Sequence, residues 1–580
     1  MRGVWLRLLL DSPSLVTKSP VLYPLTRCPN KESPHRRYLI RSSGKHESPH
    51  EQQCRHYGIN VGGEYEPLSR EEIGQHARGI FNTAINAVLP SQMVHDALQV
   101  KDGVLSVKEQ TYELKKNVHI SAFGKAVIGM VRSAESVLGD EIVQGIASVP
   151  FNIQNVLREA GKSDLLPLDN SKVKICEGAK NNIPDEAAQT TAMAIYHQAQ
   201  QVTADDILLV LVSGGGSALL PSPIPPITLN EMAETTRVMG KAGATIQELN
   251  TVRKQLEILK GGGLARAAFP AKVVTLILSD VIGDPLDLIA SGPTVEDPST
   301  AAQCLGLFQK LNVHEDIPNT VKNFLQEKLD KSQCDKDSDV GFDHVQNVLV
   351  GTNNIAIDAA SSRAIQLGYL PFVLSTSLAG DASEAGVLYG KLAEFVYLSF
   401  ACGKKSDSNR VLCQLEMDIV QRGVEKAKLN QLLDTCHKAQ AYGKGVCIIS
   451  GGETTVDVKG SGKGGRNQEL ALSAAMQLRH SFQDLDILKH YGIQFLSGGT
   501  DGQDGPTEAA GATADPELIR EAEVQGFNPQ KYLDQNDTFT FYSAVNGGAN
   551  LVTTGLTGTN VMDIQILLVN CFDQMDKGSF

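Results

Sequence analysis

ADDILLVLVSGGGSALLPSP occupies residues 204–223. Six apolar residues, Ile207 to Val212, run directly into Ser213, three glycines and Ser217. A short apolar run without alternation reads as a strand buried on both faces, as inside a parallel sheet covered by helices. Gly214, Gly215 and Gly216 permit positive φ, so the chain can turn sharply and converge backbone N–H groups on an anion. Ser213 and Ser217 add hydroxyl donors on either side. A phosphate or carboxylate is the natural ligand of such a turn where a helix follows. A tight turn without a ligand is the plain alternative.

The same grammar recurs on both sides of this stretch. NVHISAFGKAVIGMVRSAESVL (117–138) reads as strand, glycine turn, helix, and AKVVTLILSDVIGDP (271–285) as a strand ending in acids. QNVLVGTNNIAIDAASSRAIQLG (346–368) is strand, turn, helix; VCIISGGETTVDV (446–458) and IQFLSGGTDGQDG (493–505) are strand and turn. Apolar strands end in Ser-Gly-Gly at Ser213, Ser450 and Ser497. An amphipathic helix starts at Ser69, with acids in its first turn. Strands alternating with helices give an α/β protein with mostly parallel sheets, in which ligands bind beyond the carboxyl ends of the strands. The polar stretch 331–345 and the charged helical stretch 402–445 separate motif-rich units. The expected organisation is a leader over 1–65, a domain over 66–340, and a second α/β domain over 341–580 with its core at about 445–570. A cleft is expected between the two domains.

Composition narrows the function. The 580 residues are 42% apolar and 21% charged, enough apolar side chain for folded cores. The net charge is −13, which disfavours nucleic acid as a partner. Ten cysteines occur without a CxxC pair or zinc spacing, which fits free thiols in a reducing compartment. No apolar run reaches 18 residues, so no membrane span is expected. The first 45 residues hold nine Lys/Arg against two acids. An Arg- and Ser-rich, acid-poor start resembles a mitochondrial transit peptide. The expected location is therefore mitochondrial, with a cytoplasmic protein carrying an unaddressed tail as the alternative.

Several residues can carry chemistry. Lys125 sits on the glycine turn of SAFGKAVIGM, where it can clamp a phosphate. GSGKGGRNQELAL (460–472) contains G-x-G-x-x-G at Gly460, Gly462 and Gly465, a weak nucleotide signal when alone. Lys463 within that loop, and Arg466 in the first turn of the following helix, tilt it towards phosphoryl transfer. Asn467 follows Arg466 directly. The ribose-binding acid expected of a dinucleotide site is unclear, because Asp484 and Asp486 fall in a polar helix-like stretch. Walker A, protein-kinase and G-x-S-x-G motifs are absent. Asp280, Asp284, Glu453, Asp501 and Asp504 lie at strand ends. Such carboxylates suit Mg²⁺ or can orient and deprotonate a substrate hydroxyl. LNTVRKQLEILKGGGLA (249–265) reads as a helix ended by Gly261 to Gly263, with Arg253 and Lys260 seven apart on one face, able to hold a small acid's carboxylate.

SAFGKAVIGM, EGAKNNIPDEAA, VLVSGGGSALLPSP, LNTVRKQLEILKGGGLA, LSDVIGDPLDLIASGPT, GTNNIAIDAA, SGGETTVDVKGSGKGGRNQELAL and SGGTDGQDGPTEAAGATAD together resemble class II glycerate kinase, in order from about residue 70 to 570. The last third is similar to the MOFRL domain of that family. The resemblance implies an ATP-dependent kinase acting on D-glycerate, with a Rossmann-like first domain. It implies Lys125 and Arg466 as catalytic residues; Asp280 is placed with them. The reading of the residues themselves puts Ser213, Gly214, Gly215, Gly216, Ser217, Arg253 and Lys260 at substrate and phosphate, and Gly460, Gly462, Lys463, Gly465 and Asn467 at the nucleotide. Asp501, Asp504 and Glu453 are the metal candidates, for Mg²⁺. The alternatives are an NAD(P)H-dependent hydroxypyruvate reductase using the 460–465 loop, and a non-catalytic protein that binds small acids.

Overall fold

The computed structural model describes residues 68–332, 341–401, 406–483 and 491–571. The transit-like leader and Asp484 and Asp486 lie outside these. Fifteen strands occur among the described residues. A small antiparallel meander comes first: β1 (Gln99–Lys101), β2 (Val104–Val107) and β3 (Gln110–Glu113). The first large sheet uses β4 (Val118–Phe123), β5 (Ile142–Pro150), β6 (Val173–Gly178), β7 (Ile207–Val212), β8 (Lys272–Leu278) and β9 (Val345–Gly351). All its pairings are parallel, in the order β6-β5-β4-β7-β8-β9.

The chain therefore runs outward from β4 to β6, then returns to lay β7 beside β4. This is the doubly wound order of a Rossmann-like sheet, and its topological switch point lies between β4 and β7. The deciding apolar run is β7 itself, buried at every position.

The second sheet comprises β10 (Tyr369–Leu378), β11 (Gly445–Gly452), β12 (Tyr491–Gly499), β13 (Gly511–Ala514), β14 (Leu551–Val552) and β15 (Asp563–Cys571), in the order β10-β11-β15-β12-β13-β14. Here the expectation of parallel strands holds only for β10 with β11. The last strand, β15, slots between β11 and β12 and runs antiparallel to both. β13 and β14 extend the sheet by antiparallel pairings. A strand arriving from the chain's end can enter in either direction, because no crossover helix constrains it.

The expected division at 340/341 falls ahead of β9, the sixth strand of the first sheet. In the other direction, helix Arg70–Ala87 packs on β12, β15 and helix Asn353–Gln366, and so covers the second sheet. This helix begins with a capping box between Ser69 and Glu72. One continuous core runs from Ile120 and Leu211 through Ile80 and Phe81 to Ile449 and Ile566, joining both sheets within one compact unit. The other face of the second sheet is covered by helices Ala382–Ala401 and Arg466–Ser481. The charged stretch at 402–445 supplies two more helices, Ser406–Gln421 and Lys426–Ala441.

Candidate active site

Three neighbouring strands of the first sheet end at one place. After β4 the chain turns through Gly124 and Lys125 into helix Val127–Leu138. After β7 it turns through Ser213 to Gly216. The two turns are stitched together: the Lys125 N–H donates to the Gly214 carbonyl (2.9 Å) and the Ala126 N–H to Ser213 Oγ (3.0 Å). Ser213 is buried, so its hydroxyl supports the Lys125 turn. Gly215 (φ +79°) lies against the Lys125 stem. Gly214 lies against the carboxylate of Asp280, just past β8; a methyl there would run into it. Glycine at 214 thus makes room for an acid.

Lys125 is exposed and its ammonium has no partner among the described residues. Burial pushes the Asp280 carboxyl above its ordinary range, with the Lys125 charge working the other way. The helix expected to run as far as the glycines at 261–263 ends at Leu256. The chain leaves it to pair with 222–224: the Ile258 N–H donates to the Ser222 carbonyl (2.7 Å), and the Ile224 N–H to the Leu256 carbonyl (2.9 Å). Arg253 and Lys260 therefore do not share a helix face. Lys260 is buried against Glu257 (2.5 Å) and also donates to the Ser217 carbonyl (3.0 Å). Ser217 Oγ meets Ser291 Oγ at 2.9 Å. Arg253 has no ion pair or side-chain hydrogen bond among the described residues. Burial pulls its guanidinium down, with Glu257 opposing.

Three strand ends of the second sheet converge likewise. Asp563, first residue of β15, stands opposite Gly452 of β11 and Gly499 of β12. Arg466 opens helix Arg466–Ser481 and grips this carboxylate with its fork, Nε to Oδ2 at 2.6 Å and Nη2 to Oδ1 at 2.8 Å. Its Nη2 also lies 3.2 Å from Glu453. Burial works against the guanidinium charge, yet Asp563 and Glu453 hold it well above its ordinary value. The Glu453 side chain is 46% exposed at the rim. Desolvation by the walls still raises its carboxyl; Arg466 opposes, and Asp563, Asp280 and Asp501 add to the rise. Burial likewise raises Asp501, with its own Gln503 hydrogen bond, Arg466 and Lys125 opposing. Asp280 acting on Glu453, and Lys125 on Asp501, bring the strand ends of the two sheets within electrostatic reach of each other.

Asp504 faces inward. It is wholly buried and accepts from the amides of Asn467 (3.0 Å) and Gln468 (2.8 Å), capping the Arg466 helix. Burial pushes its carboxyl to about 6, with Arg466 and the two amides opposing. Asn467 is buried too, and its Oδ1 accepts from Ser497 Oγ at 2.6 Å.

The glycine loop after β11 is strapped to residues 535–539. The amides of Lys459 and Gly460 donate to Asn536 Oδ1 (2.8 and 2.9 Å), Gly462 to the Gln535 carbonyl (3.0 Å), and Lys463 to Asp537 Oδ1 (2.9 Å). Lys463 Nζ sits 4.4 Å above the Phe539 ring. Methyl groups on Gly460 or Gly462 would run into Gln535 or Asp537, and one on Gly465 into Asp504. The G-x-G-x-x-G spacing here serves close chain approach. Gly464 and Gly465 keep amides without a partner among the described residues, next to Arg466.

Asp563 escapes sequence reasoning. Its only signal is a lone acid at the head of the last apolar strand. No group of three or more His, Cys, Asp or Glu is spaced to hold a metal among the described residues.

Two family models match: a domain of unknown function, DUF4147, over residues 76–326, and the MOFRL family over 446–563. The chain is 44% identical to glycerate kinase of Homo sapiens over 501 residues, 86% of this chain and 93% of the relative. It is 31% identical to glycerate 2-kinase of Pyrococcus horikoshii over 494 residues, 84% of this chain and 96% of the relative. The crystal structure of glycerate kinase from Thermotoga maritima superposes with a TM-score of 0.65 at 31% identity, covering 86% of this chain and all of the other. With 44% identity to a glycerate kinase over 86% of its length, and with the MOFRL model matching the segment that carries Arg466 and Asp563, the chain belongs to the glycerate kinase family.

Proposed function

We propose that this protein transfers the terminal phosphoryl group of ATP to a hydroxyl of D-glycerate; its relatives are named glycerate kinase and glycerate 2-kinase. The observation that carries the reading is that Lys125 and Arg466, one from each sheet, both act electrostatically on Asp501, with Asp280 and Glu453 among the neighbouring carboxylates. Phosphoryl transfer asks a protein mainly for positioning and charge neutralisation, and this arrangement supplies both. The ATP phosphates lie between Lys125 and Arg466, with the free amides of Gly464 and Gly465 on the same side. Arg253, a cation without a partner, holds the glycerate carboxylate. Asp280, whose carboxyl is raised by burial beside Lys125, accepts the proton of the attacking hydroxyl.

The residues also fit Mg²⁺. Four carboxylates (Asp280, Glu453, Asp501 and Asp563) face two cations, so a polyanionic nucleotide enters only with added positive charge. Asp284 Oδ1 is buried without a partner. Mg²⁺ needs only one or two protein carboxylates beside phosphate oxygens. Asp501 and Glu453 are its candidate holders; Asp504 is committed to its helix. Bound there, the ion neutralises charge on the phosphate oxygens.

The dinucleotide reading loses support, because the amides of Gly460, Gly462 and Lys463 in the 460–465 loop are spent within the protein. The test is ADP release from ATP, Mg²⁺ and D-glycerate, beside L-glycerate and an NADH–hydroxypyruvate arm. ADP release with the D isomer alone is expected, and NMR of the product assigns the hydroxyl. NADH oxidation without ADP release would overturn the kinase reading. We further infer that the leader directs the chain to mitochondria; a reporter fused behind residues 1–65 that stays in the cytoplasm would refute this.

A further inference from the structure

Asp563 is fully buried, yet its carboxylate is aimed at Arg466, the arginine that the proposed chemistry places at the phosphates. Residues opposite one another in antiparallel strands carry their side chains on the same face. The residues opposite Asp563 are Gly452 and Gly499, the second glycines of two Ser-Gly-Gly endings. A methyl on Gly499 would stand 3.4 Å from Asp563 Oδ1. Gly499 thus leaves room beside the Asp563 carboxylate, whereas a methyl on Gly452 would run into the Leu378 backbone.

The head of β15 is fixed as well. Buried Asn353 donates from Nδ2 to the carbonyls of Val561 (2.8 Å) and Asp563 (3.0 Å). Glu453 is a weaker partner, since it reaches only Nη2 and stands half in solvent.

Pairing Nε and Nη2 with one carboxylate orients the whole guanidinium plane, because the fork is rigid. It leaves the Nη1 edge free, with no partner among the described residues. We propose that Asp563 is the positioning residue of Arg466, holding its fork so that the Nη1 edge meets the phosphoryl group in transfer. The inference rests on the catalytic reading of Arg466 given above. A carboxylate placed only for stability would not need to meet, through both its oxygens, the guanidinium of the residue that opens the helix beside the site.

The experiment uses the full chain with ATP, Mg²⁺ and D-glycerate. Asp563→Asn keeps the shape and one acceptor oxygen but removes the charge. We expect kcat to fall about 10²-fold with both KM values within about threefold, the signature of a displaced group that acts in the transition state. Arg466→Gln should cost about 10³-fold or more. The double variant should be no slower than Arg466→Gln alone, within about threefold, because both changes remove one unit of function.

A folded Asp563→Asn enzyme with kcat within about threefold of wild type would overturn the proposal. So would multiplicative losses in the double variant. If Arg466→Gln itself keeps full kcat, the catalytic reading of Arg466 is what fails. Should Asp563→Asn not fold, Asp563→Glu decides: the charge is kept but displaced by one methylene. A loss above about tenfold at unchanged thermal midpoint supports positioning, and wild-type kcat refutes it.

Discussion

The turn at 213–217 and the loop at 459–465 both owe their glycines to close approach, but to different visitors. At the first, the visitors are charged side chains: the Asp280 carboxylate against Gly214 and the Lys125 stem against Gly215. The amide of Lys125 stitches the turn in place, and its ammonium stays open to solvent. At the second, the visitor is the segment 535–539, which takes the amides of residues 459, 460, 462 and 463. The functional group there is not in the loop but just behind it, in Arg466 held by Asp563. Glycine spacing reports that something must come near; it does not report what.

The contrast can be broken by substitution. Arg466→Ala is expected to lower kcat by about 10³-fold or more, measured as ADP release by the folded variant. Near-normal turnover would remove the second sheet from the chemistry. Gly214→Ala forces the Asp280 carboxylate aside, and should cost about 10²-fold in kcat with the fold intact. Wild-type rates in that variant would mean that the Asp280–Gly214 contact is mere packing.

Asn536→Ala tests the strapped loop. It frees the amides of Lys459 and Gly460 and one partner of Glu469. A loss of about 1–2 kcal/mol in urea unfolding is expected, with kcat within about threefold. An ATP KM raised more than about tenfold at unchanged stability would show instead that the loop cradles the nucleotide.

The smallest effect is in pH. Burial holds Asp504 at about 6, against about 3.9 in an unfolded chain. The folded protein therefore binds more protons between those values. This group's stabilising contribution is present below the unfolded value and lost as pH rises through the folded one. Between about pH 4 and 6 the urea midpoint of wild type should fall relative to that of Asp504→Asn. Parallel pH profiles would show that Asp504 is not strained by its burial.

Much of the first sheet was legible because its signals are local. Ile207 to Val212 announces a doubly buried strand, and Ser69 with Glu72 announces a capped helix. Lys125 and Asp280 could be picked out because each stands at the end of an apolar run. The second sheet was less legible. β15 carries no turn signal and no crossover helix, so neither its central place nor its direction could be foreseen. Arg253 and Lys260 were read as equivalent by spacing. Pairing with 222–224 ended their helix early, and left one cation free and the other buried on Glu257.

The sequence by itself determined the α/β alternation, the strand ends at which chemistry sits, and the family, since these follow from short-range pattern and from motifs quoted in order. Tertiary structure alone decided which groups are free to act. Lys125 and Arg253 are open, Lys260 and Asp504 are taken, and Arg466 is aimed by an aspartate 97 residues further along the chain. The physical reason is that burial and pairing are set by what arrives from distant segments. A charge changes its meaning according to the partner it meets, and that partner is not written in its neighbourhood.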